Sequence, residues 1–382
     1  MDAQATGGAV VSPSGGFLRF FQQLPDPRAA NSIHKLSDIL TIAFCAVVCG
    51  ADSWVDVEMF GNSKLPWLRS FLELPGGIPS HDTFGRVFAM LSPEAFEESF
   101  QKWMSWARAS GKGLIAIDGK SIRRSFEHAW DKSGMAHLLS AYAAANGVLG
   151  QIAIGGKENE ITAIPKLLAM LDLERATVTI DAIGCQREIA EQITQSGGDY
   201  ILALKQNQPT LYAKVKALLD EAILEDFAGL PHARTQETEG EHGRIEVRRA
   251  WVTGEVQHLR LPEPWPGLRS IAVVESRREV NGACSVERRY FVSSHTAEDA
   301  AFMAGAIRGH WQIENALHWQ LDVSFREDEC RVRTGHAAEN LSRLRRMALN
   351  RLKSDRTLKV GVAAKRKRAG WDEPYLLKLL TS

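Results

Sequence analysis

Two apolar runs of strand length end in aspartate: "LIAID" (114–118) and "TVTID" (177–181). Each is followed by a small residue, Gly119 or Ala182. The segments around them alternate in type. "HLLSAYAAANGVLGQIAIG" (137–155) sets Asn146-Gly147 between two strand-like runs, a strong hairpin signal. "EITAIPKLLAMLDL" (160–173) reads as a helix with Pro165 in its first turn. "CQREIAEQITQSGG" (185–198) is a helix with a glycine stop, "DYILALK" (199–205) a strand, and "QPTLYAKVKALLDEAI" (208–223) a helix. The order strand, hairpin, helix, strand, helix, strand, helix predicts an α/β fold.

The flanks differ. Residues 1–16 are rich in Gly, Ala and Ser and predict a disordered tail. Residues 17–108 predict a helical N-terminal domain. In it, "SHDTFGRVFAML" has a Ser80/Asp82 cap signal before Phe84, Val87, Phe88 and Leu91, and Pro93 suits a first helical position. The α/β core runs over 109–225. From 226 to 293, strand-like runs and turn signals predict a small β-rich, antiparallel insertion. The core then completes over 294–355. There a long helix opens at "TAED", where Thr296 and Asp299 have capping-box spacing, and runs to about Leu321. Residues 356–382 read as a basic C-terminal tail.

Composition narrows the partners. The chain has 382 residues and zero formal net charge, so total charge selects none. From Arg331 to Arg368, however, thirteen Lys and Arg stand against Glu339 and Asp355, a net +11. That bias suits a local polyanion contact, with a solvated helix face as the alternative. Five scattered cysteines without a C-x-x-C pair argue against a disulfide framework or a cysteine zinc site. The longest apolar run, "ILTIAFCAVVCGA" (39–51), is too short to span a bilayer and reads as a buried helix. A reducing, cytoplasmic setting is expected.

Strand ends are where function gathers in α/β sheets. Two neighbouring strands would bring Asp118 and Asp181 together, and two carboxylates in contact call for a cation between them. The alternative is a pair of unrelated aspartates capping the turns that follow. A third acid stands in "HWQIENALHW" (310–319). At about 100° per residue, Glu314 lies about 40° from His310, within the arc of Ile307, Leu317 and Leu321. A carboxylate facing a core needs a cation or a metal. A buried ion pair would satisfy it too. His310, Glu314 and His318 also share a row, but zinc would require further ligands that no Cys- or His-rich cluster offers. Three carboxylates suit Mg²⁺ or Mn²⁺, and two such ions support in-line phosphoryl transfer. Asp322 is the nearest rival to Glu314.

These residues carry a resemblance. The motifs "LPDPR" (24–28), "GIPSHDTFGRVF" (77–88), "AIDGKSIRRS" (116–125), "NEITAIPKLL" (159–168), "TIDAIGCQ" (179–186), "YILALKQNQPTL" (200–211), "HGRIE" (242–246), "RGHWQIENALHWQLDVSFRED" (308–328) and "AGWDEPYLL" (369–377) cover the chain from about 20 to 378. The chain resembles the H-repeat-associated (ISAs-type) insertion-sequence transposases, DDE enzymes with an RNase H-like mixed-sheet core. The resemblance implies that Asp118, Asp181 and Glu314 form a catalytic, metal-binding triad using Mg²⁺, with Mn²⁺ as a substitute. It implies cleavage of double-stranded DNA at the terminal inverted repeats of an element, then attack of the freed 3′-hydroxyl on target DNA. A homodimer or larger assembly on DNA, acting at the nucleoid, is implied as well. The helical domain would read the element ends. Where wider relatives carry Tyr-Arg-Glu-Lys, this chain has Ile307, His310, Glu314 and Leu321, so the phosphate roles must move. Lys120, Arg123, Arg124, Lys205, Asn207, Arg308, His310 and His318 are expected near the cut. Arg345 and Arg346 of "RLRR" and Lys365 and Arg366 of "KRKR" are expected on flanking DNA. A metal-dependent nuclease and a domesticated, non-transposing DNA-binding relative are the alternatives.

Overall fold

The computed structural model describes residues 17–107, 113–126, 135–155, 158–241, 244–280 and 283–381. The expected tail at 1–16 and the Asn281-Gly282 turn lie outside the described residues. Contacts divide the chain into a helical unit, from parts of 1–109, 122–136 and 320–382, and a sheet unit, from 110–121 and 137–319.

The N-terminal helices are α1 (Phe17–Phe21), α2 (Leu36–Cys49), α3 (Trp54–Ser63), α4 (Leu65–Leu68), α5 (His81–Met90) and α6 (Pro93–Ala107). Ser80 caps α5 by accepting the Thr83 N–H, and Phe84, Val87 and Phe88 line its buried face. Every residue from Ile39 to Val48 on α2 is buried, so the longest apolar run is a core helix. Among the described residues, no single helix is long and apolar enough to cross a membrane.

The sheet unit contains β1 (Leu114–Ser121), β2 (His137–Ala143), β3 (Gly147–Ile154), α7 (Glu160–Ala169), β4 (Thr177–Ile180), α8 (Arg187–Gln195), β5 (Asp199–Leu204) and α9 (Pro209–Leu224). It continues with β6 (Ala233–Glu241), β7 (Arg244–Thr253), β8 (Ser270–Val280), β9 (Ala283–Ser293) and α10 (Ala300–His310). Among the described residues these strands make one nine-stranded sheet in the order β3-β2-β1-β4-β5-β9-β8-β7-β6. β1, β4 and β5 are parallel, and the rest pair antiparallel. The sheet is mixed, as an RNase H-like core requires. The β-rich insertion joins that sheet through β9 on β5.

One face of the sheet buries Ile164, Leu167, Ile189, Ile193, Val215 and Leu219 from α7, α8 and α9. On the other, Ala300, Met303 and Ala306 of α10 pack on Ile201, Val252, Ala272 and Phe291. Each large aliphatic side chain buried this way contributes about 1.5–3 kcal/mol.

Three local expectations are corrected. Pro165 lies in the interior of α7, not its first turn. The cap of α10 is Asp299, which accepts the Phe302 N–H at 2.7 Å, so the helix starts after Asp299 and not at Thr296. It also stops at His310: a π-helical turn spans Ile313–His318 before α11 (Trp319–Phe325).

The C-terminal residues form α12 (Ala337–Ser354), α13 (Val362–Trp371) and α14 (Glu373–Thr381). Thus 356–382 is not a tail: Tyr375, Leu376, Leu379 and Leu380 are buried. The basic motifs here are buried too. Arg345 and Arg346 are 1% and 0% exposed, Lys365 and Arg366 6% and 7%. Arg346 pairs with Glu327 at 3.1 Å. Arg345 donates to the Asp52 carbonyl, and Lys365 to the carbonyls of Leu352 and Asp355. Arg366 donates to the Ser324 and Val47 carbonyls and lies over the Phe325 ring. Their expected place on flanking DNA is therefore corrected: these cations hold the helical unit together.

Candidate active site

The register of β1 on β4 builds the first half of the site. The last parallel pair is Ile117 with Ile180. The next residue on each strand is an aspartate, so Asp118 and Asp181 emerge side by side. Asp118 is not a strand end, because β1 continues beside β2, with Asp118 opposite Ser140. Asp181 does leave its strand. Its Oδ1 accepts the Ile183 N–H at 3.0 Å and caps the short turn Ala182–Gly184. Asn207, expected at DNA, donates its amide to the Ala182 carbonyl and ties down that turn.

The second half comes from the end of α10. Gly309 lets this helix approach β1 closely, since a Cβ there would collide with the Leu114 side chain. The π turn then presents Glu314. A turn closing i→i+5 advances less per residue than an α-helix, and such turns recur at functional sites. The expectation that Glu314 faces the core is corrected, because its side chain is 51% exposed. Its neighbour His318 is the buried one, at 5%.

Among the described residues, Asp118, Glu314 and His318 form a group whose ligand atoms all lie within 4.8 Å of one another. His318 Nδ1 is 3.5 Å from both Asp118 Oδ2 and Glu314 Oε2. Burial pushes the Asp118 carboxyl up to about 8, and the charge of Glu314 adds to it. The Gly119 N–H opposes the shift, while a hydrogen bond with Glu314 and the charge of Asp181 reinforce it. Burial together with the neighbouring negative charge thus favours a proton on Asp118, which a bound divalent cation would displace. Carboxylate oxygens with one imidazole form a donor set that accepts hard divalent ions. The residues fit such a group. A zinc site of His310 and His318 is not what the fold assembles, because His310 Nδ1 faces Thr179 Oγ1 at 3.2 Å. Burial holds the His310 imidazole below its ordinary pKa.

A cleft of about 490 Å³ opens over these groups, lined by Asp118, Asp181, Glu314, His310, Lys205 and Arg289 among others. Lys205 is exposed just past β5. Lys120 lies two residues beyond Asp118, on the same face of β1. Arg308 is occupied by Glu237, at 2.9 Å, and by Glu239. Arg123 and Arg124, in the helical unit, are exposed. Arg123 pairs with Asp328 at 3.1 Å, and the Arg124 carbonyl accepts from Arg333. Sequence reasoning missed Arg289 and Trp311. The Arg289 guanidinium carbon sits 5.5 Å from the centre of the half-exposed Trp311 ring. The alternation of β9 carried the signal, since Phe291, two residues on, faces α10.

The family profile described as "Transposase DDE domain" matches residues 109–351, and one described as "DDE_Tnp_1-associated" matches residues 18–104. The chain is 40% identical over 368 residues to the "H repeat-associated putative transposase YhhI" of Escherichia coli (strain K12), covering 94% of this chain and 95% of that protein. It is 40% identical over 372 residues to the "Putative transposase YncI" of Escherichia coli O157:H7, covering 96% and 94%. An "Uncharacterized protein in dhlA 3'region" of Xanthobacter autotrophicus is 49% identical over 284 residues, 73% of this chain and 94% of that protein. With its mixed sheet and paired strand aspartates, the chain belongs to the DDE transposase family.

Proposed function

We propose that this chain cleaves double-stranded DNA at the terminal inverted repeats of an insertion sequence and joins the freed 3′-hydroxyl ends to target DNA. The observation that carries this reading is the register of β1 on β4, which sets Asp118 beside Asp181 on the cleft that Glu314 also lines. Asp118, Asp181 and Glu314 are the catalytic residues that hold Mg²⁺, with Mn²⁺ as a substitute. Bound metal supplies activation of the attacking oxygen and stabilisation of the leaving one in an in-line phosphoryl transfer.

The protein's own groups do the rest. Asp118 is fixed by its pairing with Ser140 on β2, one residue past the last β1–β4 pair. Asp181 is held by its turn, and Glu314 is the more exposed, adjustable member. Buried His318 sits 3.5 Å from both Asp118 and Glu314 and braces them. Lys205 supplies positive charge at the cleft for backbone phosphates, with Lys120 further along β1, while Arg289, like Arg308, is held by an acid, Glu287 at 2.9 Å. Arg308 reaches DNA only by leaving Glu237 and Glu239. Two chains assembled on paired element ends complete the reaction.

The test is a cleavage and joining assay on DNA carrying the element's own ends, with Mg²⁺ or Mn²⁺. Wild type is expected to cut and join, while Glu314→Gln binds the DNA and does neither. Cutting without joining by wild type would assign a nuclease. Binding without chemistry would assign a DNA-binding relative. Full activity in Glu314→Gln would remove Glu314 from the site.

A further inference from the structure

Beside Asp118, three residues outside the acidic group form a hydrogen-bonded chain. Ser121 and His137 face each other across β1 and β2. Ser121 Oγ and His137 Nδ1 are 2.8 Å apart, and His137 Nε2 is 2.7 Å from Glu160 Oε1. Glu160 opens α7, directly after its Asn159 cap. The His137 and Glu160 side chains are 30% and 20% exposed. The His137 ring thus bridges Ser121 Oγ and Glu160 Oε1 through its two nitrogens.

This chain closes on one peptide. A Cβ at Gly119 would lie 2.8 Å from His137 Nε2 and would collide with Glu160 Oε1. The His-Glu pair is therefore seated against the Gly119 Cα. Gly119 directly follows Asp118 in β1, so the groups packed on its Cα fix the peptide that joins the two residues. Glycine is required here by close approach, and the approaching groups are polar and joined to each other.

We infer that Ser121, His137 and Glu160 are positioning residues that hold the Gly119 peptide, and through it the Asp118 carboxylate, in the orientation for binding a divalent cation. The inference rests on the reading of Asp118 as a metal ligand. Groups that orient a ligand from behind are worth about 10–100-fold in metal affinity.

The experiment is a Mn²⁺ titration of the full chain, with free Mn²⁺ followed by its electron paramagnetic resonance signal. His137→Ala and Glu160→Ala are expected to weaken Mn²⁺ binding by about tenfold or more while the far-UV circular dichroism stays that of wild type. Glu160→Gln keeps a hydrogen-bond partner for Nε2 and retains more affinity than Glu160→Ala. His295→Ala is the control: it removes a half-buried histidine bonded to Thr177 Oγ1 at 2.9 Å in the same sheet, and it leaves affinity unchanged. Gly119→Ala weakens binding in the wild-type background and less so beside Glu160→Ala, the coupling expected of groups in contact. Wild-type Mn²⁺ affinity in folded His137→Ala and Glu160→Ala overturns the inference. If His137→Ala does not fold, Glu160→Ala decides alone. A wild type that binds no Mn²⁺ overturns the metal reading, and the positioning role falls with it.

Discussion

Arg346 tests whether the basic C-terminal segment serves DNA or the fold. Arg346 and Glu327 are both 0% exposed, with Nη1 of Arg346 3.1 Å from Glu327 Oε1. The Ser342 hydroxyl donates to the same carboxylate oxygen at 2.6 Å. Replacing the guanidinium by an apolar side chain, as in Arg346→Met, leaves the Glu327 charge buried without its arginine. Breaking a buried pair from one side costs about 3–5 kcal/mol. Total stability for a domain is about 5–15 kcal/mol, so the helical unit moves close to its limit. Removing both charges together, in Glu327→Leu with Arg346→Met, recovers most of the loss, because the uncompensated charge goes as well. Urea unfolding followed by circular dichroism measures the effect. The salt dependence of DNA binding is the second reading. A cation on a phosphate contributes about one unit to the slope of log K against log salt, and Arg346→Met is expected to leave that slope unchanged. A variant with the wild-type urea midpoint and a slope reduced by one would refute the reasoning and return Arg346 to the DNA surface.

Lys205 should behave in the opposite way. It is exposed at the cleft, so Lys205→Ala is expected to lower the salt slope of DNA binding by about one and to change stability by less than about 0.5 kcal/mol; an unchanged slope would remove it from the phosphate path. Asp355 sets an acid limit on the C-terminal helices. Burial alone would raise its carboxyl, but hydrogen bonds from Lys378, Thr357 and Tyr375 outweigh that and hold it well below the usual range. The folded pKa is thus below the unfolded value of about 3.9, so the stabilisation is complete above that pH and is lost as pH falls through the folded value. The stability gap between wild type and Asp355→Asn should begin to narrow below about pH 4 in urea titrations and keep narrowing as the pH falls further, and a gap independent of pH would contradict the assignment.

The core order was legible because its signals are local. A strand-length apolar run, a glycine stop and a cap each act within a few residues, as Ser80 does on α5. Pairings made at long range left no such mark. The Arg-rich "RLRR" reads as surface by charge alone, since arginine is seldom buried unpaired. Its partners come from elsewhere in the chain: Glu97 sits 2.5 Å from Arg343, and Glu327 holds Arg346. Likewise, the alternation in the insertion announced antiparallel strands but not the edge they would extend. That edge is set by β9 lying along β5, with Ile201 opposite Ser293.

At the site, the legible part and the hidden part have one cause. Asp118 and Asp181 were readable because a strand has a fixed period of two and a parallel register leaves little freedom at its end. Glu314 was found by residue type, but its direction was misread, because a period of 3.6 was applied where the chain makes a π turn. An α-helical continuation from His310 would carry the acid toward the apolar side with Ile307 and Leu317. The wider turn instead leaves Glu314 half exposed and turns His318 inward to within 3.5 Å of both acids. Wider turns are less favourable than α-helix and are kept in few places. Here the irregular turn brings Glu314 to Asp118 and His318 at the cleft, so the departure from periodicity falls at the candidate site.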